Sequence, residues 1–481
     1  MKTGLRTKRK LIVLVLLSIL ALLGNAQSNL VFYHTNDQFN SSNFNPAFLT
    51  SQQKFTFSIF PLSGMSVGYN NQQVVKDMLT SFLSGGIDKD NLTIVFKSLL
   101  KHDLFYQRFE SSLLNFGYNS TIGSFDFRIK EVEQLRTGFK GPFSEFLTST
   151  ASQTIILNQA QLFPADAVHY REYSLGYAKE IIKNKLSVGL RAKIYFGKAS
   201  AVSEVQGEVI LKNGSYILET FGPIKTSIPM DMSIGKDSIL YGANLPQNFS
   251  ASTYLTNSKN IGAGIDLGFN YKINSRIVLS ASITDFGKIN WNNNLKTINY
   301  MGKYKLPGKY IANAGSNFLT KTSAFNLDDV NVYELFKSTL DSNKYSTHLP
   351  TTFYVGLQYQ INPALNIGLV DRFINSKGMN HNSFSLTANY DLNKKLTIST
   401  GYSTIGKAYN NIPFAILYNW GGGQSYFGTD NFLSFLLPSI SDYTGITFGT
   451  CFFLFRPKVK YYNRDEYLPF YKERKQKGLR N

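Results

Sequence analysis

Gly401-Tyr-Ser-Thr-Ile-Gly406-Lys407 matches the first seven positions of a phosphate-binding loop. Such a loop needs Ser or Thr next, to meet Mg²⁺, and a helix that aims its amides at the phosphates. Position 408 is Ala408, and the AYNNIPF that follows has no helical pattern. Nucleotide chemistry is therefore not expected. The five histidines, His34, His102, His169, His348 and His381, have no partners at metal-ligand spacing. Neither a GxSxG elbow nor a CxxC pair occurs. Cys451, in TFGTCFFLF, is the single cysteine, so no internal disulfide forms, and it reads as a small apolar residue. The residues point to no enzyme, no cofactor and no metal.

The ends and the composition place the chain. Met1–Lys10 carries five cations and no acid, Leu11–Leu23 is apolar except for Ser18, and Gly24-Asn25-Ala26 offers small residues before Gln27. This is the pattern of a signal peptide over 1–26, cleaved between Ala26 and Gln27. Its apolar run falls short of the ~20 residues a spanning helix needs. Net charge is +19, or +14 without the five N-terminal cations. An exported basic protein rarely meets nucleic acid; anionic lipid headgroups, lipopolysaccharide among them, or an acidic partner fit better. Charged residues are only 17%, against 29 Tyr and 38 Phe. That balance suits a wall facing lipid, with aromatic girdles at both interfaces.

The elements that would form such a wall are alternating strands. In IGAGIDLGFNYKI, Ile261, Ala263, Ile265, Leu267, Phe269, Tyr271 and Ile273 alternate with Gly262, Gly264, Asp266, Gly268, Asn270 and Lys272. Strand side chains alternate faces, so one face is apolar and the other small or polar. LSVGLRAKIYFG, FYVGLQYQI and FSLTANYDL repeat the pattern. Arg191, Lys193, Asp266, Asn270 and Gln358 are then candidate lumen-facing polar residues. Asp285 and Asp371-Arg372 interrupt the alternation. They would face the lumen or sit at the outer rim, and the rim is expected because charge costs little there.

Fourteen strands are expected, at roughly 54–69, 103–118, 124–136, 169–182, 185–200, 260–273, 276–288, 350–361, 365–374, 382–391, 395–404, 411–419, 425–437 and 443–456. Joints on the side of the termini are short. Three share a Tyr-x-x-Asn pattern, at Tyr271–Asn274, Tyr359–Asn362 and Tyr390–Asn393. Asn tolerates the left-handed angles of tight turns, and Tyr suits an interfacial girdle. The opposite side holds long excursions near 70–102, 137–168, 201–259 and 289–349. Helical spacing within them, at Val74, Val75, Met78, Leu79, Phe82 and Leu83 and again at Val332, Leu335, Phe336 and Leu340, predicts helical insertions in the outer loops. Short turns on one side and long loops on the other are the layout of an outer-membrane barrel.

Between leader and first strand lies Ser41-Ser42-Asn43-Phe44-Asn45-Pro46-Ala47-Phe48, a turn starter flanked by phenylalanines. NFNPAF resembles the Asn-Pro-Ala element near the mature N-terminus of FadL-type long-chain fatty-acid transporters. It also resembles the PorP/SprF-like outer-membrane proteins of Bacteroidota, linked to type IX secretion and gliding. The layout as a whole looks most like a Bacteroidota barrel family related to both. The resemblance implies an all-β, transmembrane antiparallel barrel of about fourteen strands over 54–456, in the outer membrane of a Gram-negative bacterium. Residues 27–53 would be a plug, with Phe44, Asn45, Pro46, Ala47 and Phe48 as its hatch, and 457–481 a basic periplasmic tail. It implies passive transport of a small hydrophobic molecule or, alternatively, a scaffold that holds a surface or periplasmic protein through outer loops or tail. No residue of this chain aligns with the fatty-acid family's ligand pocket, so no substrate carries over.

Overall fold

A computed structural model describes residues 29–35, 38–51, 55–70, 104–138, 157–161, 165–212, 215–234, 240–244, 246–307, 337–376, 380–393, 395–406, 408–437 and 441–454. The expected signal peptide with its Ala26/Gln27 cleavage site, the helix expected over 72–85, Val332, Leu335 and Phe336 of the second expected helix, and the expected tail 457–481 lie outside the described residues.

The strands in chain order are β1 (Phe55–Ile59), β2 (Met65–Asn70), β3 (Leu104–Asn119), β4 (Ser124–Gly138), β5 (Leu157–Gln161), β6 (Ala165–Ile182), β7 (Leu186–Ser203), β8 (Gln206–Lys212), β9 (Ser215–Ser227), β10 (Asp231–Ile234), β11 (Leu240–Asn244), β12 (Asn260–Lys272), β13 (Ile277–Trp291), β14 (Leu295–Pro307), β15 (Lys337–Asp341), β16 (Tyr345–His348), β17 (Thr351–Asn362), β18 (Leu365–Asn375), β19 (His381–Asp391), β20 (Leu396–Ile405), β21 (Ala408–Asn411), β22 (Phe414–Asn419), β23 (Gly423–Thr429) and β24 (Tyr443–Phe453). Two short helices accompany them, α1 (Ala251–Thr256) and α2 (Leu433–Leu436).

Fourteen antiparallel wall positions close into a barrel. β1 and β2 share the first, and β3, β4, β6, β7, β12, β13, β17, β18, β19, β20, β22, β23 and β24 follow. β24 returns to pair with both β1 and β2, so the wall has no free edge. Among the described residues no helix is long and apolar enough to cross a membrane; the strands cross instead.

The alternation read from the sequence sorts the two faces. Outward side chains are apolar and exposed, among them Leu175 at 61%, Ile194 at 51% and Val355 at 55%. Inward ones are polar and buried, such as Arg128, Arg191, Asp266 and Ser385. This is inside-out relative to a soluble sandwich, and water would not tolerate such a belt; hydrocarbon does. Exposed Tyr177, Tyr359, Tyr390 and Tyr418 ring the wall close to the short turns.

Those turns use Asn otherwise than expected. Asn274, Asn362 and Asn393 are absent from the positive-φ positions; the left-handed residue of a short turn is Asn184, at φ 57°. The three instead accept from the backbone with Oδ1. Asn274 takes Arg276 N at 2.8 Å, Asn362 takes Ala364 N at 2.9 Å and Asn393 takes Lys395 N at 2.8 Å. The side chain imitates a turn carbonyl.

Other expectations also shift. The first wall strand is broken between Ile59 and Met65, where Pro61 has no N–H to give to a ladder. The strand expected to run to 437 stops at Thr429. There the Asn431 side chain takes over, donating to Tyr443 O at 2.8 Å, and α2 follows. Leu340, expected on a helix, lies on β15, because Lys337–Asp341 pairs with β14. Beyond the barrel, β5, β8, β9, β14 and β15 form one sheet, anchored where β9 pairs with the outer end of β7.

Candidate functional site

The lumen is filled from inside by the N-terminal segment, residues 29–35 and 38–51. Three short 3₁₀ turns, Leu30–Phe32, Ser41–Asn43 and Pro46–Ser51, fold it against the wall. Asn45 is its central fastening. The amide Nδ2 donates to the carbonyls of Phe269 (2.9 Å) and Ala281 (3.2 Å) on β12 and β13, while Oδ1 accepts from Ala47 N at 3.0 Å. One side chain thus shapes its own turn and ties it to two strands. Ser282 Oγ donates to Phe44 O at 2.5 Å beside it.

The fit depends on a row of small wall residues. Ala178, Gly189, Gly268 and Ser282 are successive cross-strand partners on β6, β7, β12 and β13. A Cβ on Gly189 would lie 2.3 Å from Ala47 N and from Pro46 C; one on Gly268 would lie 2.0 Å from Asn45 Oδ1. Asn-Pro-Ala therefore lies flat on a floor of small residues, with glycine directly beneath Asn45, Pro46 and Ala47, and Ala47 is fully buried there. Above it, Leu30, Val31, Phe32, Tyr33, Phe39 and Phe44 form one apolar cluster with Tyr354, Val370, Ala415, Leu417, Tyr426 and Cys451 of the wall. Phe44 packs between Tyr33 and Tyr354, both at 5.9 Å, and Phe48 meets Tyr33 at 5.4 Å.

Around the plug runs a buried ionic network. Asp126 on β4 reaches Arg191 on β7 at 2.7 Å and Arg128 at 2.5 Å. It crosses β6 at Gly176, where a Cβ would strike the Asp126 carboxylate at 2.0 Å. Both arginines grip the plug: Arg128 donates to Ser42 Oγ and Asn43 Oδ1, and Arg191 to Ser42 O at 2.6 Å. Lys193 binds Asp266 at 2.9 Å and Asp285 at 2.6 Å, and Arg108 pairs with Glu110. Buried charges persist only when matched in this way. A small, partly open cavity lies on the plug, lined by Asn43 and Phe44 below and by Tyr106, Tyr354, Arg108, Lys130 and others around it.

His34 gives the plug a pH dependence. Its Nε2 faces Leu369 O at 2.9 Å, and its ring lies on Gly368. Burial pushes its pKa down to about 4, against a partial lift from that carbonyl. The neutral imidazole is the seated form, so its contribution is complete above pH ~6.5 and fades as pH falls toward 4. Seating should weaken by up to about tenfold per pH unit across that window. Limited proteolysis of the N-terminal segment should follow this profile in the wild type and lose it in His34→Gln. An identical profile in both would assign the effect elsewhere.

The five hatch residues named from the sequence meet in one place, on the floor and cluster just described. Of the polar candidates, Arg191, Lys193 and Asp266 face inward and share one network; Asn270 and Gln358 also lie on the inward rows, at half-buried positions. Of the three charges expected at the rim, Asp285 and Arg372 are inward and buried, whereas Asp371 is exposed on the outward row beside Val355. A bulge at Thr284-Asp285, with Asp285 at φ 60°, swings that carboxylate into the lumen. Sequence reasoning missed Asp126, Arg128 and Lys130, and the signal was present. SFDFRIKEV alternates aromatic or aliphatic residues with charged ones, which on a barrel strand puts the charges inside. Among the described residues no group of His, Cys, Asp or Glu is arranged to hold a metal ion.

A family model described as "Family of unknown function (DUF5723)" matches residues 46–430. No curated protein matches the chain. A FadL homologue from Pseudomonas aeruginosa aligns over 86% of this chain and 94% of its own, at 10% identity and a TM-score of 0.40. The toluene transporter TbuX from Ralstonia pickettii aligns over 86% and 93%, at 12% identity and 0.39. The toluene transporter TodX from Pseudomonas putida aligns over 87% and 93%, at 10% identity and 0.35.

Proposed function

We propose that this chain, which belongs to the family of unknown function DUF5723, is a gated outer-membrane barrel that passes a small hydrophobic molecule. It would be exported by the signal peptide 1–26 and inserted with its short turns toward the periplasm. The observation that carries the reading is the plug: an N-terminal segment seated on small wall residues, held by hydrogen bonds and an apolar cluster, with a cavity directly on top of it. A passenger entering from the outer loops would meet Tyr106 and Tyr354 on the walls and Phe44 on the floor. The charged side chains that line the rest of the cavity include two ion pairs, Arg108–Glu110 and Lys193–Asp285. Displacing the hatch at Asn45-Pro46-Ala47 then opens the way out.

Proteoliposomes holding the full chain should take up a small hydrophobic probe faster than protein-free vesicles, and Pro46→Gly, which loosens the hatch turn, should change that rate. Uptake equal to protein-free vesicles in both would end the transport reading. One observation favours the alternative, a scaffold for a surface protein. Among the described residues the outer sheet ends in β5 and β15, and such sheet edges accept a partner's strand. Co-purification of a protein that is lost when the outer sheet is deleted would support it.

A further inference from the structure

Among the described residues at the short-turn end, four exposed cations lie in one sector. Lys179, Lys183 and Lys185 on the β6–β7 hairpin and Arg276 on the β12–β13 turn are all exposed. The two turns are joined, Lys272 N donating to Lys185 O at 2.8 Å. The nearby acid, Glu180, is directed to the turn backbone, accepting from Asn184 N at 3.5 Å. By contrast, the turn residues Ser120-Thr121-Ile122, Pro363-Ala364 and Gly421-Gly422 carry no charge, and the β19–β20 turn adds only Lys394 and Lys395.

The same sector is apolar as well as cationic. Ser124 at the start of β4 pairs with Ala178, so residues 179–182 of the hairpin run past the end of that neighbour. Ile181, Ile182 and Ile273 are exposed there, at 62%, 48% and 49%. Lys185 Nζ lies 5.7 Å above the Tyr271 ring, at the level of the tyrosine girdle. A bare isoleucine tip costs free energy in water, and lysines beside a tyrosine girdle sit where hydrocarbon gives way to headgroups.

We propose that this sector, β6–β7 with β12–β13, binds the anionic headgroups of phospholipids in the leaflet at the short-turn end. The isoleucines enter the acyl boundary, the tyrosines mark it, and the four cations meet phosphates. The proposal depends on the barrel spanning a bilayer, not on its carrying a passenger. An acidic protein would not account for isoleucines at the tip.

The test uses the full chain in nanodiscs of equal phosphatidylglycerol and phosphatidylcholine, with retained lipids counted by native mass spectrometry. Wild type should keep phosphatidylglycerol in at least about fivefold excess, the factor one well-placed cation supplies near an anionic surface. The excess should shrink with salt. The variant Lys179→Gln/Lys183→Gln/Lys185→Gln/Arg276→Gln should fall to near parity while keeping heat-modifiable mobility on gels. Should it not fold, Lys183→Gln/Lys185→Gln at the hairpin tip replaces it and should lose most of the excess. Parity in the wild type, or an unchanged excess in the variant, overturns the proposal. So does parity combined with retention of an acidic protein. Probe uptake is measured on the same samples, and its loss alone would count against the transport reading only.

Discussion

Gly189→Val is expected to unseat the N-terminal segment and turn a closed barrel into a conducting one. The new side chain would begin 2.3 Å from backbone atoms of Pro46 and Ala47, where no rotamer change relieves it. Overpacking of this kind costs about 1–3 kcal/mol or more, which shifts a two-state population roughly 5- to 150-fold. The barrel itself should survive, because Gly189 lies mid-strand with its ladder to β6 and β12 intact. Planar-bilayer conductance should rise by about that factor, and a protease added from the short-turn side should reach the N-terminal segment. Ala192→Val, on the outward face of the same strand, serves as the control and should change neither. If Gly189→Val is as silent as Ala192→Val, the floor does not hold the plug.

Asp126→Asn should have the largest effect on stability. Asp126 is the acid that Arg128 and Arg191 share, and both guanidiniums are almost fully buried. Removing one partner from a buried ionic group typically costs about 3–5 kcal/mol, because the remaining charge is left in a low dielectric. Here Arg191 keeps a longer contact to Asp266, at 3.5 Å. Both arginines also hold Ser42, so the plug should loosen with the network. A lower temperature for the heat-induced gel shift and faster cleavage of the N-terminal segment would both register the loss. Replacing all three, as Asp126→Leu/Arg128→Met/Arg191→Met, should recover much of the heat stability but not the grip on Ser42. A single Asp126→Asn variant as stable as wild type would show that the network is solvated and not structural.

The barrel was legible because hydrophobic period two is a local property that each strand carries by itself. IGAGIDLGFNYKI announces β12, its lipid face and the inward direction of Asp266 without help from any neighbour. The turns were legible in place but not in mechanism: Asn274, Asn362 and Asn393 act through side-chain acceptors and not through left-handed backbone. What the pattern could not contain was pairing at a distance. The direction of Asp285 depends on a one-residue bulge against β12. β15 is a strand only because the edge of β14 lies beside it. The residues that grip the plug sit on strands far apart in the chain, and alternation reports a side chain's face but not its height or its partner. Asn-Pro-Ala could be recognised as an unusual turn, yet the reason for each residue is written elsewhere, in Gly189, Gly268 and two carbonyls of the wall.

The span of the plug's bonds bears on how the molecule is made. Val31 is fastened to Asp430 across 399 positions, Phe39 to Gln424 across 385 and Asn45 to Phe269 across 224. The plug residues, made before the wall, are thus the last to find their partners. Until β22, β23 and β24 exist, Leu30, Val31, Phe32 and Phe39 lack much of the surface that covers them, and contacts of such long range form slowly. The unassembled chain therefore carries a sticky apolar leader that a holding chaperone can recognise. A seated N-terminus, in turn, certifies that the whole wall has been completed.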